Sequence, residues 1–235
     1  MKIILLGYGK MGKIIERVAL ERGHQIGARI DIDNQDDLAT AEGDVAIEFS
    51  HPNAAFANIK ACLMRNLPVV CGTTGWLSKR SEIESLCMEK NGSFFYASNY
   101  SLGVNLFFRI NAQLARMMEN FQEYNVSMQE IHHAEKKDAP SGTAITLAEG
   151  ILTNLHRKKA WVGSKTGNGQ DLYIESVRVN QVPGTHIVKY ESAIDGIEIK
   201  HTAHSREGFG QGAVMVAEWL ITRNGVFTMD DYLKF

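Results

Sequence analysis

The residue types best able to do chemistry lie between positions 130 and 143, reading Glu-Ile-His-His-Ala-Glu-Lys-Lys-Asp-Ala-Pro-Ser-Gly-Thr. Paired imidazoles at His132 and His133 stand beside Lys136, Lys137 and several carboxylates, and the run ends in a Pro-Ser-Gly-Thr that starts a helix. Imidazole is the side chain whose proton moves near neutral pH, and a neighbouring ammonium favours an anionic substrate. Ser141 is a good N-cap, which leaves the N–H groups of Gly142 and Thr143 directed outward as a small anion site for a substrate carboxylate. Adjacent residues on an extended strand point to opposite faces, so only one of His132 and His133 faces a given pocket unless the chain turns. The same composition also suits a solvated loop ahead of a capped helix, and both readings stand on composition alone. A metal site is not expected. His201 and His204 add imidazoles, but no Cys is near, no HExxH occurs, and positions i and i+3 diverge on a strand.

A second constellation opens the chain. Gly7-Tyr8-Gly9-Lys10-Met11-Gly12 is a GxGxxG placed directly after an apolar strand and at the start of a helix, and Asp31 ends the next strand. In a dinucleotide site Gly7 permits the tight turn, Gly9 lets the backbone approach a pyrophosphate, and Gly12 lets helix and strand pack closely. The free N–H groups at the helix start attract the anion, and Asp31 accepts hydrogen bonds from the adenosine ribose hydroxyls. A carboxylate there repels a 2′-phosphate, so NADH is favoured over NADPH, although Arg29 or Lys10 could reach round to one. Gly72, Thr73 and Thr74, followed by Gly75, come after a later strand, as do Ala97, Ser98, Asn99, Tyr100 and Ser101. Both segments suit a nicotinamide ribose, and each suits plain turn chemistry equally well.

These groups need elements to position them. Apolar runs over 3–6, 25–30, 45–49, 68–71 and 93–97 read as strands, alternating with helical patterns over 12–22, 54–65 and 81–90. Such alternation implies a mostly parallel sheet covered on both faces. After about position 101 the texture changes to a helix over 105–119, a strand over 126–132, a helix over 141–155 and strands over 172–179, 186–192 and 196–203. That order suggests a separate mixed sheet, while the apolar helix over 212–222 returns to the first domain. The expected fold is therefore α/β: a Rossmann-type parallel-sheet domain over 1–101 and 207–235, and a mixed α/β domain over 102–206.

Composition sets the remaining limits. With 25 basic against 27 acidic residues and no Lys/Arg block, the chain lacks the clustered positive field that nucleic-acid binding needs. No apolar run approaches the ~20 residues of a membrane span. The first residues read as a strand rather than a secretory leader, and Cys62, Cys71 and Cys87 lack CxxC spacing. A reducing cytoplasm is the expected location.

Taken together, GYGKMG, Glu48-Phe49-Ser50-His51-Pro52, the GTTG at 72–75, the SNYSLGVN at 98–105 and EIHHAEKKDAPSGTA resemble the bacterial 4-hydroxy-tetrahydrodipicolinate (dihydrodipicolinate) reductases nearly end to end. The resemblance implies NAD(P)H-dependent reduction of 4-hydroxy-tetrahydrodipicolinate to tetrahydrodipicolinate in diaminopimelate and lysine biosynthesis. It implies His132 as proton donor and acceptor, Lys136 as proton donor, and His133, Gly142 and Thr143, helped by Ser141, as holders of the dicarboxylate. It assigns the dinucleotide to residues 7–12, Asp31, 72–74 and 97–100. It also implies that the second domain builds a homotetramer by sheet–sheet contact, using apolar faces on its strands. Two positions depart from the family pattern: Ala134 stands where an Arg is usual, and Asn180 replaces a Gly in the RxGxxxGxH run that starts at Arg178. Other readings of the residues are a Rossmann reductase for a different small carboxylate, and a non-catalytic dinucleotide-sensing module.

Overall fold

The computed structural model describes residues 1–164 and 168–234. The chain divides into two compact units, Met1–Leu102 with Glu207–Phe235, and Gly103–Arg206.

The first unit is a six-stranded parallel sheet in the order β11-β5-β4-β3-β1-β2. Its strands are β1 (Lys2–Leu6), β2 (Gln25–Ile30), β3 (Val45–Glu48), β4 (Val69–Cys71), β5 (Ser93–Tyr96) and β11 (Gly225–Phe227). Central strands buried on both faces need continuous apolar runs, and Ile3, Ile4, Leu5 and Leu6 are all essentially without solvent exposure. One face is covered by α1 (Lys10–Glu21) and α6 (Glu207–Leu220), which place Ile15, Val18, Ala213, Val216 and Leu220 against it. The other is covered by α2 (Pro52–Met64) and α3 (Arg80–Glu89), through Ile59, Cys62, Leu63, Ile83 and Cys87. The late apolar helix thus returns to the first sheet, as its pattern suggests. Bare backbone at Gly212 permits this docking, because a Cβ there would lie 1.8 Å from the carbonyl oxygen of Tyr100. Helix α1 starts two residues earlier than the periodicity predicts, because Gly9 is its N-cap and Lys10 and Met11 are already helical. The three-residue β11 and the short helix α7 (Met229–Leu233) are too brief for periodicity to reveal.

Strand order reverses beside β1, which has β2 on one side and β3 on the other. In open parallel sheets that switch point leaves a crevice at the carboxyl ends of the strands. Gly7 sits in it with φ +91°, and a Cβ there would meet the carbonyl oxygen of Phe49 at 2.3 Å.

The second unit is a mixed sheet in the order β10-β9-β6-β8-β7. Its strands are β6 (Asn125–His132), β7 (Ala160–Val162), β8 (Asp171–Arg178), β9 (Gly184–Glu191) and β10 (Gly196–Ala203). β6 runs antiparallel to β9 and parallel to β8. Helices α4 (Leu102–Met118) and α5 (Gly142–Asn154) pack on one face, against Val126, Met128, Leu172, Ile174, Val188 and Tyr190. The face without helices is mixed rather than apolar. Ion and hydrogen-bond pairs Lys189–Glu198 (2.9 Å) and Gln129–Glu175 (2.6 Å) lie on it beside Ile131, Val177 and Ile187. Among the described residues, no helix is long and apolar enough to cross a membrane.

Gly7→Ala should cost about 2–4 kcal/mol, from the positive φ and the clash with Phe49 together. The expected result is a lower urea midpoint at unchanged denaturant slope.

Candidate active site

The crevice at the β1/β3 switch point is a cavity of about 710 Å³ lined by Gly7, Tyr8, Gly9 and Asp31, with Phe49, Ser50 and His51 as its opposite wall. Gly12 fits where nothing else would, since a Cβ on it would lie 2.3 Å from the carbonyl oxygen of Gly7. A Cβ on Gly9 would meet nothing within 4 Å, and no side chain caps the start of α1. An open, uncapped helix start under a glycine is the cradle a pyrophosphate requires, so these residues fit a dinucleotide. Asp31 is held in place: its Oδ2 accepts from the N–H of Tyr8 (3.2 Å) and its Oδ1 from that of Ile32 (2.9 Å). Arg29 is already engaged. Its guanidinium donates to Glu16 and lies 5.6 Å from the centre of the Tyr8 ring, while the Tyr8 hydroxyl also donates to Glu16.

The wall after β3 rests on a buried acid. Glu48 has no solvent exposure and accepts from the hydroxyl of Ser50, while the Ser50 N–H donates to Thr73 Oγ1 at 2.9 Å. Ser50, held by the carboxylate, thereby ties the loop after β3 to the loop after β4. Gly72–Thr74 and Ala97–Tyr100 lie at the ends of β4 and β5 and do not line this cavity. Thr73 is buried in the tie with Ser50, whereas Thr74 and Ser98 are exposed. Tyr100 is a core residue, 1% exposed, whose hydroxyl donates to the carbonyl of Cys71 at 2.7 Å. Cys71, beside the loop, stays a thiol, because burial and the nearby Glu48 push its pKa well up.

In the second unit, β6 ends on His132, which is buried, while His133 beyond it is half-buried. His132 Nδ1 lies 2.8 Å from Glu130 Oε2, off the alignment of a straight hydrogen bond. Lys136 sits on the following turn, with its Nζ 2.8 Å from both carboxylate oxygens of Asp138. Ser141 caps α5 by accepting from the N–H of Ala144 at 3.2 Å, which leaves Gly142 exposed and Thr143 half-buried at the helix start. The residues predicted from positions 132–143 are therefore brought to one end of one sheet. Arg178 and His186 join them without having been predicted. Arg178 donates to Glu130 Oε1 (2.9 Å) and to the carbonyls of Lys136 (3.3 Å) and Asp138 (2.6 Å). His186 stacks edge-on 5.1 Å from His132, with its Nε2 3.1 Å from Ser141 Oγ. The only signal for either is the R…GxH run at 178–186. Glu130, His132 and His186 come close enough to offer a donor set to a divalent cation, but the Arg178 guanidinium sets a fixed positive charge against one.

Burial alone would raise the Glu130 carboxyl. His132, Ser141, Ser176 and Arg178 outweigh it and hold the group well below the usual carboxylate range. Burial, reinforced by His132, pushes His186 down to about 3. The unfolded chain protonates this imidazole near pH 6.5, whereas the folded chain does so only near pH 3. Its stability contribution is thus complete above pH ~6.5 and is lost as pH falls, at up to ~1.4 kcal/mol per pH unit. His186→Asn is expected to flatten this acid slope, read as urea midpoints at a series of pH values between about 7.5 and 5.

Known proteins resemble the chain throughout. Residues 1–100 match the family described as "Dihydrodipicolinate reductase, N-terminus", and residues 103–233 match "Dihydrodipicolinate reductase, C-terminus". A 4-hydroxy-tetrahydrodipicolinate reductase of Christiangramia forsetii is 49% identical over 100% of this chain and 98% of its own length. One from Lawsonia intracellularis is 32% identical over 99% of both. The fold matches that of a dipicolinate-bound dihydrodipicolinate reductase from Paenisporosarcina sp. TG-14, with a TM-score of 0.78, 19% identity and 97% of each chain covered. With both halves matched and its residues aligned end to end, the chain belongs to the dihydrodipicolinate reductase family.

Proposed function

We propose that this chain performs the family's reaction, the NAD(P)H-dependent reduction of 4-hydroxy-tetrahydrodipicolinate to tetrahydrodipicolinate in diaminopimelate and lysine biosynthesis. The observation that carries this reading is the convergence of His132, Lys136 and the open start of α5 at one end of the second sheet, on a chain whose first unit holds a dinucleotide cradle. Gly7–Gly12 and Asp31 bind the dinucleotide, with Gly72–Thr74 and Ala97–Tyr100 on its nicotinamide side. When bound, the dinucleotide would supply a hydride to the substrate ring, and the ring hydroxyl would leave as water, carrying away the proton that His132 exchanges. The N–H groups of Gly142 and Thr143, with His133, hold the substrate's carboxylates and fix the ring. Ser141 keeps those N–H groups in place by capping the helix. His132 exchanges a proton with the substrate through its ring nitrogen. Lys136 supplies a second proton and a positive charge where negative charge develops, exchanging its partner Asp138 for the substrate.

Asp31 supports NADH as the preferred donor. It lines the cavity in a fixed pose, and the guanidinium of Arg29, which could offset it, is bound to Glu16. The uncovered face of the second sheet, with Ile131, Val177 and Ile187 among its polar pairs, supports assembly as a homotetramer, tested by sedimentation equilibrium. The free, buried cysteines suit a cytoplasmic enzyme.

The direct test is oxidation of NADH, followed at 340 nm, with substrate made in situ from pyruvate and aspartate semialdehyde by the preceding synthase. His132→Ala or Lys136→Ala should lower kcat by ~10²–10⁴-fold with NADH affinity nearly unchanged. Full turnover in either variant would overturn its assigned role. Asp31→Ala should raise the NADPH-to-NADH ratio of kcat/KM by ~10-fold or more, by removing the charge that repels a 2′-phosphate. An unchanged ratio would remove the basis for the preference.

A further inference from the structure

His132 is built into a frame. Glu130 precedes it by two residues on β6, so both side chains leave the same face of the strand. Glu130 has no solvent exposure, and its Oε2 is 2.8 Å from His132 Nδ1. The contact is not aligned as a straight hydrogen bond, but two unshared lone pairs repel at that distance, and Arg178 holds Glu130 as a carboxylate, so the proton between them belongs on Nδ1. The other ring nitrogen, Nε2, lies beside Gly184 of β9, where any Cβ would come within 3.0 Å of it. Bare backbone at Gly184 therefore gives the ring its place. Arg178, paired with His132 across the ladder to β8, anchors the opposite oxygen of Glu130 at 2.9 Å. His186, paired with Glu130 across the ladder to β9, closes the frame from below and contacts Ser141. The charged and titratable groups around the ring are thus Glu130, Lys136 and Asp138 on its own segment, Arg178 on β8, His186 on β9 and, beyond it, His201 on β10.

We propose that Glu130 is a positioning residue for His132: backed by Arg178 and by the bare Gly184, it fixes the ring proton on Nδ1 and leaves Nε2 as the atom that exchanges a proton with the substrate. This rests on the reading of His132 as the proton donor. It also gives the R…GxH run at 178–186 a purpose, since Arg178, Gly184 and His186 are three sides of one frame. A neutral His186 does not compete with His132 for the carboxylate.

The test uses the full chain labelled with ¹⁵N in its histidines, its imidazole tautomers read by long-range ¹H–¹⁵N spectra, with the His132 signal identified by its loss in His132→Asn. The wild type is expected to show His132 with its proton on Nδ1. In Glu130→Gln the tautomers should mix, and kcat should fall by ~10²-fold or more, in line with the loss of a carboxylate that orients a catalytic imidazole. KM for NADH should not change. Gly184→Ala keeps Glu130 and crowds Nε2 directly, so it should lower kcat by ~10-fold or more even if Glu130→Gln fails to fold. A wild-type His132 protonated on Nε2, or a Glu130→Gln protein with unaltered tautomer, would overturn the proposal. A tautomer change with undiminished kcat would support the positioning and overturn only the role of His132.

Discussion

One carboxylate organises the second unit. Glu130 is withdrawn completely from water, and an ion so placed costs several kcal/mol unless its partners are well set. They come from three separate stretches of chain: Arg178 and Ser176 from β8, His132 from the end of β6, and Ser141 from the cap of α5. Because Arg178 also donates to the carbonyls of Lys136 and Asp138, the same charge shapes the loop that carries the lysine. Holding the fold together and placing the His132 ring are one interaction here. Removing either partner alone would leave a buried charge uncompensated, so the pair is kept or lost as a unit.

The first unit meets a similar demand with backbone rather than charge. Gly7 and Gly12 are places where atoms of Phe49 and of Gly7 itself already occupy the space of a side chain. Such close approach lets three strand ends and two helix starts converge on one crevice. Glu48 then serves beneath it as Glu130 does elsewhere, a buried acid whose partners Ser50 and Asn58 tie the loop after β3 to helix α2.

What could be read beforehand follows from how local each signal is. The glycine loop with Asp31, and the run from His132 to Thr143, are contiguous, so residue type and spacing reveal them. The alternation of Val126, Met128, Glu130 and His132 on one side of β6 marks a strand with one covered face. The partners of that face do not show. Arg178, Gly184 and His186 reach His132 only through the pairing of β6 with β8 and β9, and ladder register is fixed by the whole sheet rather than by either strand's residues. Phe49, Ser50 and His51 are legible as a motif, but their place as the far wall of the cavity depends on the strand order reversing at β1. The buried hydroxyl of Tyr100 illustrates the converse. A tyrosine after a strand reads as an available donor, and packing against Phe49 and Phe95 turns it inward.

The register of the second sheet also explains why its polar cluster lies at one end. On the covered face, Met128 is flanked by Ile174 and Val188, and one step further along Glu130 is flanked by Ser176 and His186. Helices α4 and α5 bury the first row as ordinary core, and the second row begins where α5 starts. Polar groups placed there gain two things together: low dielectric from the core beneath, which strengthens each charge interaction, and the unpaired N–H groups of a helix start in front. A slip of one residue in β6 would send Glu130 and His132 to the uncovered face and bring Gln129 and Ile131 inward. The apolar packing of Val126 and Met128 forbids that slip, so the hydrophobic core fixes which histidine of the adjacent pair is framed by the carboxylate and which is left half-exposed beyond the strand.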